Sequence, residues 1–120
     1  MTSTYTTNKS IEKPANGDYV NNWNVPVNGD WDIIDQALGS VTSINATGAS
    51  GTNALTASQY RSLTLNITGT LTANVTYQIP SGVGGQWIVY NNTTGAYTVT
   101  ISSGGGGTSY ATTQGNRTII

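Results

Sequence analysis

Between Leu63 and Ile101 the chain alternates apolar and polar side chains with a period of two, which commits it to strands with one buried face. In Leu63-Thr-Leu-Asn-Ile67 and Leu71-Thr-Ala-Asn-Val-Thr-Tyr-Gln-Ile79 the apolar residues take the odd positions, and Thr, Asn and Gln take the even ones. Tyr97, Val99 and Ile101 continue the pattern, with Thr98, Thr100 and Ser102 facing the other way. Gln86-Trp-Ile-Val-Tyr-Asn91 is apolar on both faces, as in a central or covered strand. Gly69 is expected to separate the first two strands, and Asn91-Asn-Thr-Thr-Gly95 reads as a hairpin pairing Trp87–Tyr90 with Tyr97–Ile101. The expected class is therefore mainly β: a small antiparallel β-sandwich or β-prism-like module over residues 63–120. A shortage of other apolar elements suggests that its core is shared with sister chains.

Composition narrows the function. Charged residues make up 8% of the 120 residues, far below the quarter usual in soluble domains, so solubility rests on hydroxyls and amides. All five acids, Glu12, Asp18, Asp30, Asp32 and Asp35, precede position 36, while Lys9, Lys13, Arg61 and Arg117 are scattered. Without a basic patch, a nucleic-acid partner is not expected. Histidine and cysteine are both absent, which removes the commonest general base, the usual triads and thiolate metal sites. The first residues carry no apolar signal-peptide core, and no run reaches the length of a membrane helix, so no membrane insertion is expected.

The front of the chain is irregular and polar. Residues 1–13 read as an extended arm or an added strand, ended by the turn chemistry of Lys13-Pro-Ala-Asn-Gly-Asp18. Asn16-Gly-Asp-Tyr19 is echoed by Asn28-Gly-Asp-Trp31, and two copies do not make a repeat architecture. The second copy is expected to open one short helix, 31–38, with Asp30 as N-cap, Asp32 in the first turn and Gly39 as the stop. Trp31, Ile34 and Leu38 give that helix an apolar stripe, and a helix so short must dock on the sheet, a sister chain or a larger assembly. Residues 1–40 thus form a front segment. Residues 41–62 read as a Gly/Ser/Thr-rich connector with one short strand near Val41 to Ile44. The chain stops on Ile119-Ile120 inside an expected strand, so the sequence is expected to be the front part of a longer polypeptide.

The candidate chemical groups have structural readings. Asp30-x-Asp32-x-x-Asp35 misses the spacing of a calcium loop, and capping accounts for two of its acids. Gly104–Gly107 lacks the Lys-Ser/Thr and the strand-to-helix setting of a phosphate loop. No catalytic residue, cofactor or metal ligand is assigned, and no enzyme is expected. Trp31, Trp87, Tyr77 and Tyr97 sit on apolar faces and are expected in a core or subunit contact, whereas Tyr19 and Trp23 lie in irregular polar chain. The expected partner-binding residues are Tyr19, Trp23, Trp31, Ile34 and Leu38.

Thr68-Gly-Thr-Leu-Thr-Ala-Asn-Val-Thr-Tyr-Gln-Ile-Pro80, Gln86–Ile101 and Gly115-Asn-Arg-Thr-Ile-Ile120 together resemble the β-module of bacteriophage tail fibre and tail spike proteins. Ile11–Tyr19 and Trp31–Gly39 are similar to the amino-terminal segments of such fibres, so the resemblance covers most of the chain. It implies a structural virion protein, commonly a homotrimer, whose front end docks on other phage tail proteins and whose distal part serves host recognition. A module that itself binds a host surface glycan, and a capsid decoration or head-fibre protein, are the alternatives.

Overall fold

The computed structural model describes residues 2–120. At the front, β1 (Thr4–Tyr5) and β2 (Glu12–Lys13) pair antiparallel, so the expected arm folds back on itself. The reversal is held by Thr6, whose Oγ1 accepts the Ile11 N–H at 2.9 Å, with Ser10 at a positive φ of 55°.

The helix expected at 31–38 is twice that length. α1 runs from Asn24 to Gly39, 16 residues, ending at the expected Gly but starting a full two turns earlier. The added turns contain Pro26 and Gly29. Pro26 falls in the first helical turn, where its missing N–H has no intrahelical partner to lose, so the ring is tolerated and becomes buried. Asp30 is consequently a mid-helix residue and caps nothing. Its Oδ1 instead accepts the Glu12 N–H at 2.7 Å and ties β2 to the helix.

Beyond α1 the chain alternates between two four-stranded sheets. β3 (Val41–Asn45) lies in the first sheet and β4 (Gly51–Ala54) in the second, and the one-turn α2 (Ala57–Tyr60) leads back to β5 (Thr64–Thr70) in the first. β6 (Val75–Ile79), β7 (Ile88–Thr94) and β8 (Val99–Ser103) repeat the alternation. β9 (Ser109–Thr112) and β10 (Arg117–Ile119) then reverse direction and add one antiparallel strand to each sheet. The sheet orders are β10-β7-β5-β3 and β4-β6-β8-β9. The residues expected to be a connector are thus the first turn of a short parallel winding.

The fold is mainly β, but the sheets are mixed and not the expected antiparallel sandwich or prism. β5 pairs with β7 in parallel, Thr64 opposite Ile88, and β6 with β8 in parallel, Val75 opposite Val99, so the pairing repeats after 24 residues. The expected hairpin at Asn91–Gly95 does not form: β7 runs through Thr94, and Gly95 turns the chain into the other sheet. Gly69 likewise forms no tight turn: it is paired with Thr93 near the end of β5. Gly95 has a φ of 100°, and a Cβ there would stand 2.7 Å from the Leu71 carbonyl oxygen, so only Gly lets adjacent corners stack.

Alternation places Leu65, Ile67 and Val89 of the first sheet against Val75 and Val99 of the second, all essentially inaccessible, in one cluster. The apolar face is therefore covered by the chain's own second sheet, a correction to the expectation of a core shared between subunits. In register, Ile44 lies beside Ile67 and Ile67 beside Asn91, so the inward column ends on an amide. Asn91 is fully buried: its Nδ2 donates to Thr112 Oγ1 at 3.0 Å, and its Oδ1 accepts from Thr93 N–H at 3.2 Å. Thr112 Oγ1 donates onward to the Val99 carbonyl at 2.9 Å. This network knits the last parallel turn to the antiparallel pair that closes it.

Two substitutions check this architecture by denaturant unfolding. Gly95→Ala should cost about 2 kcal/mol through the strained φ and the clash with Leu71. Gly29→Ala, with open space around the added methyl, should stabilise by about 1 kcal/mol because Gly29 lies inside α1; a helix confined to 31–38 predicts no such gain.

Candidate functional site

α1 spends one face on its own chain. Pro26 is buried, Asp30 accepts from Glu12, and Gln36 Nε2 donates to the Ser58 carbonyl at 2.5 Å and to Ser62 Oγ at 3.0 Å. Ser62 is itself buried, with its hydroxyl also paired to Thr42, so the helix end is fastened to the first turn of the winding through hydroxyls and amides. Ile33 and Ala37 are half-buried beside these residues.

About 100° around the helix, a second stripe points outward. It comprises Trp23 at the helix start, then Val27, Trp31, Ile34 and Leu38, with steps of four, four, three and four residues. That is the spacing at which apolar side chains line one seam of a helix packed against other helices. Trp23 is 69% exposed, Trp31 64% and Leu38 74%, values unusual for side chains of that size and apolarity. Ile34 is half-buried. Val25 and Val41 are also exposed. Asp35 borders the stripe, and α1 carries Asp30, Asp32 and Asp35 with no Lys or Arg, so the helix is acidic.

The structure brings four of the five expected partner-binding residues, Trp23, Trp31, Ile34 and Leu38, to this one face. Tyr19 is elsewhere. It sits at a positive φ of 56° in the turn before α1, and its hydroxyl donates to Glu12 Oε1 at 2.6 Å. Val27 belongs to the stripe but was not singled out in the sequence, because Pro26 and Gly29 hid its helical setting. Of the other expected core or contact aromatics, Trp87 and Tyr77 are buried, while Trp31 and Tyr97 are exposed. Tyr90 stands on the outer face of its sheet with the Arg117 guanidinium stacked 4.2 Å from its ring centroid, so that ring face is already occupied.

Three of the acids, Glu12, Asp18 and Asp30, are engaged in hydrogen bonds within the front segment. Asp18 accepts the Ala15 N–H at 3.0 Å and the Ser3 hydroxyl at 3.3 Å, and Asp30 and Glu12 are engaged as above. Among the described residues, no group of three or more acids gathers as a metal site, and no helix is long and apolar enough to cross a membrane.

Two phenols titrate away from their ordinary range. The hydrogen bond to Glu12 raises Tyr19, and burial raises Tyr77. The folded chain therefore keeps protons that the unfolded chain releases at about pH 10. The corresponding stabilisation is complete below that pH and is lost as pH rises through the higher folded values. Unfolding midpoints should fall above about pH 10, and Tyr77→Phe should flatten that fall relative to wild type.

No family model, curated protein or solved structure matches the chain.

Proposed function

We propose that the chain is a structural, non-enzymatic protein of the bacteriophage virion: the amino-terminal part of a tail fibre, joined to two sister chains through α1. Its front region docks on the tail, and host-recognising parts lie further along the fibre. The observation that carries this reading is the exposed stripe Trp23, Val27, Trp31, Ile34 and Leu38 on a helix whose neighbouring face is already used. Exposed Trp and Leu at seam spacing have a natural occupant in the same stripe of another copy, because a symmetric assembly needs no second gene product to satisfy them.

The magnitudes are consistent with such a contact. The stripe offers on the order of 600 Å² of apolar surface per chain, approaching the ~800 Å² that each partner contributes to a stable interface. Three acidic helices side by side repel one another, since each brings Asp30, Asp32 and Asp35 with no compensating Lys or Arg on α1. Assembly is therefore expected to strengthen with salt, which screens that repulsion. The resemblance of the β-strands and front segment to phage fibre modules supplies the setting. The elongated shape of the whole chain, 55 × 26 × 24 Å, suits a fibre segment.

Light scattering on the full chain tests this directly. The expected mass is three times 12.5 kDa, falling to a single chain in a Trp31→Asp, Leu38→Asp variant with unchanged circular dichroism. A wild-type chain that stays monomeric in high salt at micromolar concentration would sink the proposal.

A further inference from the structure

The crossings from the second sheet back to the first stack beside one another, and they are unequally filled. In the first turn the crossing is α2, which buries Tyr60 and accepts the Trp87 indole N–H on the Tyr60 carbonyl at 2.7 Å. In the second turn it is Pro80–Gly85, where Gly82, Gly84 and Gly85 supply no side chains. A crevice of about 210 Å³ is left, walled by Ile79, Val83, Trp87, Ile101 and Ile120, with Ser109 and Tyr110 on its rim. The glycines are partly obligatory: a Cβ on Gly85 would press to 3.2 Å from the Trp87 ring that forms the floor.

Lys9 stands just outside this crevice, beside the Gly85 and Trp87 that help to line it. The tip of the β1–β2 hairpin is pinned there by the Gly84 N–H, which donates to Asn8 Oδ1 at 2.7 Å. The neighbouring Lys9 holds its Nζ 5.5 Å from the centroid of the Trp87 ring. Burial pulls the Lys9 ammonium below its ordinary range, and no carboxylate acts to restore it. Beside the Trp87 ring, and with no side-chain hydrogen bond among the described residues, the ammonium is free to meet an arriving anion.

We propose that this crevice is a binding site for a small organic acid with an apolar body, whose carboxylate meets Lys9 and whose body packs on Trp87. The volume suits that class, since a cavity of about 150 Å³ already admits benzene. The largely aliphatic walls disfavour a sugar, which would strand its hydroxyls, and a neutral apolar molecule would leave Lys9 unpaired. This inference does not rest on the fibre reading.

The test uses the full chain and Trp87-sensitive fluorescence, with benzoate and hexanoate as probes and benzyl alcohol and methyl glucoside as controls. Saturable benzoate binding with a Kd of about 1 mM is expected for a ligand of this size. Lys9→Gln should weaken benzoate at least tenfold at an unchanged unfolding midpoint, Lys9→Arg should retain it, and Val83→Trp should block both acids. Wild-type binding should also decline in alkaline solution as Lys9 loses its proton. Benzyl alcohol binding as tightly as benzoate, an unaltered Kd in Lys9→Gln, saturable methyl glucoside binding in place of the acids, or no saturable response to either acid would each overturn the proposal.

Discussion

A strand that leaves one sheet must return one turn later beside the same neighbour, in register, or its backbone N–H and C=O groups go unpaired. Nearly everything else in this chain follows from meeting that condition with loops of almost constant length. The first turn shows how narrow the tolerance is. Asn45 pairs with Thr68, 23 residues on, whereas Gly51 pairs with Val75, 24 residues on, so a one-residue deficit is absorbed in a single corner. That corner has Gly48 and Gly51 at positive φ, and the neighbouring Gly69 lacks the Cβ that would collide with the Thr47 backbone nitrogen at 2.9 Å. Glycine use here is a condition of stacking, which is why it gathers at corners and at strand ends.

A stacked winding solves its core locally and leaves the difficulty at its ends. At the late end, the reversal into β9 and β10 gives each sheet an antiparallel outer strand, and Asn91 replaces the isoleucine column with groups that hold the returning chain. At the early end, β3 and β4 are the outermost strands of their sheets and carry no charge or proline to discourage pairing. The first turn relies instead on a side attachment, the helix end fastened through Gln36, Ser62 and Thr42. Polar contacts thus position the front segment, while apolar burial holds the winding, and the exposed stripe on α1 serves neither purpose within one chain.

Strand existence was legible because alternation reports one buried face, whatever the partner. Leu65, Ile67, Val75, Tyr77, Val99 and Ile101 all point inward as their positions indicate. Strand pairing was not legible from the same signal. Asn91-Asn-Thr-Thr-Gly95 has the residues of a tight turn, yet the Gly that would close a hairpin serves equally well to pass the chain between sheets. The signal that separates the two cases is long-range: Leu65 and Val89, Val75 and Val99, and Tyr77 and Ile101 recur at an interval of 24, visible only when whole turns are compared. The helix failed in the opposite way. Pro26, Asn28 and Gly29 outweighed the stripe locally, and the same Asn-Gly-Asp-aromatic sequence forms a turn at 16–19 and helix at 28–31, so tertiary setting decided between them. The candidate surface was mostly legible because its spacing is helical, but its exposure was not, since periodicity marks an apolar face without naming what covers it.

The constant interval has a consequence for how such a protein can change. Residues 64–87 form one complete turn, entering opposite Val41 and handing over at Ile88. A tandem copy of that segment would present Ile88 with a second Thr64, so the sheets would grow by one strand spacing, about 4.8 Å, with no existing contact asked to find a new partner. Length in this architecture is a matter of copy number, which lets descendants extend or shorten their reach by duplication and deletion of a whole turn while the two ends remain as they are.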